Sequence, residues 1–149
     1  PAPSKRQPLA ISGVDPNQIN HHSTSMIGHP DGIPMKYTSG AQFRRYSDTT
    51  NRLYTDLDAF SGNSGSPVFD DTTGKAVGIL VSGTTDYNEN KTTKISTMNV
   101  ITPPGYLSRF LSNIFTDYYG REGVVPLALV KASLQNSSNA DTRKLADLF

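Results

Sequence analysis

The segment Gly62-Asn63-Ser64-Gly65-Ser66-Pro67 holds the residue types that a serine nucleophile needs. A hydroxyl that attacks a carbonyl carbon must project from a tight turn. Backbone N–H groups beside it must converge on the oxygen that becomes negative. Glycine at 62 lets the chain turn without a Cβ and leaves its N–H open to a ligand. The N–H groups of Gly62 and Ser64 can then form an oxyanion hole, in which one donor is worth roughly 2.7–4 kcal/mol of transition-state stabilisation. Gly65 and Ser66 leave room for a partner histidine, and Pro67 fixes φ where the chain enters the next extended segment. The same six residues also suit a plain polar loop between two strands, because Gly/Ser turns are common.

The elements around the loop must position it. Asp56-Leu57-Asp58 precede it and Val68-Phe69 follow it. Residues 52–56 alternate as a strand does, Val68-Phe69 start another, and 70–74 read as a turn. Residues 76–81 are a near-continuous apolar run, expected of a buried strand. Upstream, residues 7–11 and Met26-Ile27 read as strands, with a turn at 13–17. Residues 36–38 and 41–46 are expected to pair as a hairpin across Ser39-Gly40. Downstream, 84–93 read as a polar loop and 94–100 as a weaker strand. Leu107, Phe110, Leu111, Ile114, Phe115 and Tyr118 have helical spacing, so a helix is predicted between Pro103-Pro104 and Gly120. Residues 124–130 are expected to be a strand, 135–139 a loop, and 141–149 a short helix capped by Asp141. Short strands closed by a terminal helix point to an all-β barrel or sandwich.

Composition narrows the function classes. The chain has 149 residues, enough for one modest domain. Lys plus Arg exceed Asp plus Glu by only one (14 against 13), which argues against a nucleic-acid binder. There is no cysteine, so disulfides, thiolate catalysis and Cys-based metal sites are excluded. No apolar stretch approaches the ~18 residues of a membrane helix. The opening residues PAPSKRQPLA lack the apolar centre of a signal peptide and read as cut from something longer.

Residues 54–69 (Tyr-Thr-Asp-Leu-Asp-Ala-Phe-Ser-Gly-Asn-Ser-Gly-Ser-Pro-Val-Phe) resemble the nucleophile segment of trypsin-like serine proteases. The likeness is to the cysteine-poor bacterial branch that includes the glutamyl endopeptidases. Residues 26–36, with the turn Gly28-His29-Pro30, and residues 78–83 (Gly-Ile-Leu-Val-Ser-Gly) are similar to further segments of that branch. The resemblance covers roughly residues 7–118. It implies the second antiparallel barrel of a two-barrel fold with a C-terminal helix, spanning 1–120, and leaves 121–149 as an extension of unknown role.

The resemblance also implies roles. Ser64 is the nucleophile, and Gly62 and Ser64 supply the oxyanion N–H groups. Asp58, six residues before Ser64, falls where trypsin-type enzymes place an acid at the base of the specificity pocket, which favours cleavage after Lys or Arg; it could equally bond loop amides. Ala59 and Ser61 join it as substrate-binding residues. Leu80 stands where glutamyl endopeptidases carry a histidine, which disfavours acidic specificity. Val81, Ser82 and Gly83 present backbone to a peptide substrate. No cofactor or metal is expected, and secretion or a periplasmic location is implied by the resemblance alone.

The family's general base and orienting acid lie on the first barrel. His21, His22 and His29 all precede Ser64: His29 matches the structural Gly-His-Pro turn, while His21 and His22 fall in a polar stretch. The expected partner is therefore an N-terminal protease half carrying the catalytic His and Asp. A catalytically inactive pseudoprotease or peptide-binding module is the alternative, and a structural β-domain with an inert Gly/Ser loop is a third reading.

Overall fold

The computed structural model describes residues 8–98 and 122–149. Eight strands occur among them: β1 Ser23–Gly28, β2 Lys36–Ser47, β3 Arg52–Thr55, β4 Pro67–Asp70, β5 Lys75–Ser82, β6 Tyr87–Glu89, β7 Ser96–Met98 and β8 Glu122–Pro126. Two helices follow, α1 Leu127–Gln135 and α2 Ala140–Lys144. Six strands close into an antiparallel barrel in the order β1-β2-β3-β8-β5-β4, and β6 and β7 form a separate exposed pair. The all-β barrel expected from the sequence is what the chain adopts. The helix predicted between Pro103 and Gly120 lies outside the described residues.

The barrel forms because each strand alternates. Leu53 and Thr55 of β3, Val68 and Asp70 of β4, and Ala41 and Phe43 of β2 turn inward, while their neighbours are half-buried. Met26, Phe43, Leu53, Val68 and Val124 are at most 1% exposed and meet at the centre. Burying each such side chain stabilises the fold by about 1.5–3 kcal/mol. Closure leaves the barrel strands without a free sheet edge along most of their length.

Four local expectations are corrected. Residues 36–47 are one strand, not a hairpin. Gly40 has φ +82°, and opposite it Thr24 pairs with Ala41 while Met26 pairs with Thr38, so β2 carries one extra residue there. The glycine makes a bulge that bends the strand rather than reversing it. The strand expected at 124–130 stops at Pro126, which has no N–H for the ladder and whose fixed φ suits the start of α1. The cap of α2 is Asn139, whose Oδ1 accepts the N–H groups of Asp141 and Thr142, and not Asp141. The strand expected at 7–11 is reduced to a parallel bridge between Ile11 and Ala76.

The division at residue 120 also shifts. β8 lies beyond it, yet it pairs with β3 through Leu53↔Val124 and with β5 through Leu80↔Val124, so it completes the barrel.

Candidate active site

The loop carrying Ser64 joins β3 to β4 and is held at both ends. On the β3 side, Asp56 accepts the Gln42 N–H at 2.6 Å and the Arg44 Nε–H at 2.8 Å. Its carboxylate thereby ties the outgoing chain to β2. On the other side, Gly65 N donates to Leu80 O at 2.8 Å and Leu80 N to Ser66 O at 3.0 Å, continuing the β4–β5 pairing into the loop. Between these anchors Asn63 N donates to Phe60 O and Ser66 N to Asn63 O, which curls the loop tightly.

That curl needs Gly62. Its φ is +90°, and a Cβ there would lie 3.0 Å from Asp31 N and 3.1 Å from His29 O, both backbone atoms. The Gly-His-Pro turn after β1 packs directly behind the loop, and Asp31 N donates to Ser61 O at 2.6 Å. Asn63 points inward beside Gly28, is 2% exposed, and its buried Oδ1 has no hydrogen-bond partner. Ser64 is exposed at the tip. Asn63, Gly65 and Ser66 all donate their N–H groups, whereas those of Gly62 and Ser64 have no acceptor among the described residues. These are the two donors picked out in the sequence.

A cavity of about 470 Å³ opens beside Ser64. One wall is the chain from Ala59 to Gly62; the other is Leu80 and the segment from Ser82 to Tyr87. Ser61 N donates to Asp86 Oδ2 at 2.7 Å and ties the walls together. Ala59, Ser61, Gly62, Ser64, Ser82 and Gly83, all singled out in the sequence, line this cavity. Asp58 and Val81 do not. Asp58 is exposed and faces a neighbouring, smaller space together with Glu122 and Asp86. Val81 sits at a bulge between the Leu80↔Val124 and Ser82↔Gly123 pairs and turns outward. β4 ends at the Pro67↔Ile79 pair, the loop bonds of Gly65 and Ser66 carry the pairing to Leu80, and beyond Leu80 the end of β5 has β8 alongside among the described residues.

The sequence reading missed Glu122. It is 6% exposed, arrives from β8, and lines the cavity. Burial pushes its carboxyl from the usual 4.5 up to about 7; the Thr84 N–H pulls the other way, and the charges of Asp86 and Asp58 add to the rise. A glutamate two residues past the expected helix stop at Gly120 carries no local motif. Only the register of β8 against β3 and β5 brings it here.

None of the three histidines bonds to Ser64. His22 Nδ1 lies 3.2 Å from Asp70 Oδ1, His29 Nδ1 lies 3.4 Å from Ile33 O, and His21 is an exposed residue with φ +67°. Among the described residues no group of His, Asp and Glu is placed to hold a metal ion.

Comparison with known families matches residues 2–79 to the trypsin-like peptidase domain. No curated protein matches the chain.

Proposed function

The chain belongs to the trypsin-like peptidase family, and from that premise we propose that it is the part of a serine endopeptidase that supplies nucleophile, oxyanion hole and specificity pocket. One observation carries the reading: an exposed Ser64 whose own amide and that of Gly62 are unengaged among the described residues, while Ser61, Asn63, Gly65 and Ser66 around them donate theirs. Ser64 Oγ attacks the peptide carbonyl carbon and passes its proton to a base. The carbonyl oxygen takes the negative charge and is held by the two N–H groups. Collapse breaks the C–N bond, the amine leaves with the proton, and water hydrolyses the acyl-enzyme by the same steps. The acidic lining of the cavity supports cleavage after Lys or Arg.

The base is a histidine, with its orienting acid, on an N-terminal protease half; the engagement of His22 and His29 elsewhere supports an outside donor. A second reading rests on the histidines, none of which bonds to Ser64: the cavity and the Val81-Ser82 end of β5 then suit a peptide-binding module without turnover. Labelling with a fluorophosphonate decides. Ser64 is expected to react in the assembled protein and Ser64→Ala to abolish the reaction. Peptide binding without any labelling, with every partner chain present, would establish the second reading.

A further inference from the structure

The cavity beside Ser64 is lined by a largely buried carboxylate with one protein partner among the described residues. Glu122 is 6% exposed. Its Oε1 accepts one long bond, 3.4 Å, from Thr84 N, and Oε2 has no hydrogen-bond partner among the described residues. The carboxylate packs against Gly83, where the absence of a side chain makes room for it. A carboxylate with so few protein partners, largely buried at the wall of a cavity, favours a cation or a proton beside it.

Among the described residues the surrounding charges do not supply that cation. Asp86, on the loop after β5, and Asp58, ahead of the nucleophile loop, are acidic, and Tyr87 completes the cavity wall. Arg52, on β3 beside β8, gives its Nη1–H to Ser82 Oγ at 2.7 Å. Burial, reinforced by the two aspartates, holds the Glu122 carboxyl at about 7. Asp86 differs from it in already accepting the Ser61 N–H. Asp58 differs in being exposed and outside the cavity that holds Ser64.

Building on the peptidase reading, we propose that Glu122 is the residue that selects the substrate side chain, taking an ammonium or guanidinium group when ionised and uncharged side chains when protonated, so that the preference of the cavity changes with pH. An incoming cation gives Oε2 its missing partner through a charge-assisted hydrogen bond and favours the ionised form. Without that ligand the site relaxes by binding a proton, and the cavity then offers a neutral carboxyl that can donate to an amide oxygen.

The test compares benzamidine, a planar cation, with its uncharged analogue benzamide, by calorimetric titration into the intact chain. At about pH 8.5 benzamidine is expected to bind at least roughly tenfold more tightly. Its advantage shrinks by up to about tenfold per pH unit below neutrality and is nearly gone at about pH 5.5. Glu122→Gln is expected to remove the advantage at the higher pH, while Asp58→Asn lowers it only about two- to threefold by weakening a screened charge. Full retention of the advantage in Glu122→Gln, an advantage independent of pH, or no binding of benzamidine would each overturn the proposal. Should Glu122→Gln fail to fold, the pH dependence of the unaltered chain decides by itself. Fluorophosphonate labelling of the same samples separates this from the peptidase reading. Cation binding without labelling keeps Glu122 as the selector of a binding module, and labelling without cation binding removes Glu122 selection alone.

Discussion

The Glu122 carboxylate occupies the space that a side chain on Gly83 would need. Gly83 follows directly on β5 and Glu122 begins β8, its neighbour in the barrel: Ser82, next to Gly83, pairs with Gly123, next to Glu122. Gly83→Ala therefore has to displace the carboxylate. Overpacking of this kind costs typically about 1–3 kcal/mol, and a flexible side chain keeps the figure at the low end. A thermal melt should show a small loss of stability, and the charge preference of the cavity should weaken with it. A variant as stable as the parent that discriminates cations equally well would show that Glu122 is not held by Gly83.

The pH dependence of stability follows from the same carboxyl. Its value in the fold, about 7, is above the ordinary 4.5, so folding favours the protonated form. Its contribution is fully present below about 4.5 and is lost as pH rises through about 7. Glu122→Gln stays neutral throughout. The variant should match the parent near pH 4.5 and exceed it at about pH 8 by about 1–2 kcal/mol, allowing for screening by water in the cavity. Urea unfolding at the two pH values measures the difference. A parent that is the more stable of the two at the higher pH would reverse the sign of the argument.

The Ser64 loop was legible because its geometry is local. Gly62, Ser64 and their free amides are neighbours in the chain, and their geometry follows from the positive φ that only glycine adopts easily. The barrel was legible from alternation in 52–55 and from the apolar run that became β5. Other features were not. The bend of β2 at Gly40 looks, in sequence, like a hairpin break, because Ser-Gly serves a bulge and a turn alike. Glu122 owes its place to long-range register: Thr55↔Glu122 on one side and Ser82↔Gly123 on the other aim it into the cavity. Asp58, six residues from Ser64, was the nearer acid in the chain and is the more distant one from the cavity.

Asp56 anchors the loop's first half. It accepts the Gln42 N–H and the Arg44 Nε–H, and Arg44 Nη2 also reaches it. Asp56→Ala leaves the Gln42 amide and the guanidinium without that acceptor. The group is half-buried, so solvent offsets part of the loss, and a decrease of about 1–2 kcal/mol is expected. Salt should reduce the difference between parent and variant. Denaturant unfolding at low and high salt provides the check, and an unchanged midpoint would show that the backbone pairing of β2 and β3 holds the loop without the carboxylate.

Gly62 and Gly65 offer a matched comparison within one loop. Both have φ near +90°, so alanine at either position meets the same backbone strain, about 1 kcal/mol or somewhat more. They differ in space. A Cβ on residue 65 meets nothing within 4 Å, whereas one on residue 62 meets the backbone of Asp31 and His29 at 3.0 and 3.1 Å. Backbone on that side is fixed by the Asp31 N–Ser61 O bond, so the loop itself must shift. The shift moves the Gly62 N–H away from its partner donor on Ser64. Both variants should lose similar stability from strain, with Gly62→Ala losing more. Fluorophosphonate labelling of Ser64 in the assembled protein should fall by roughly 10²–10³ in Gly62→Ala, the usual cost of one oxyanion donor, and far less in Gly65→Ala. Equal labelling rates in the two variants would separate Gly62 from the oxyanion hole and leave its glycine explained by packing against the His29 turn alone.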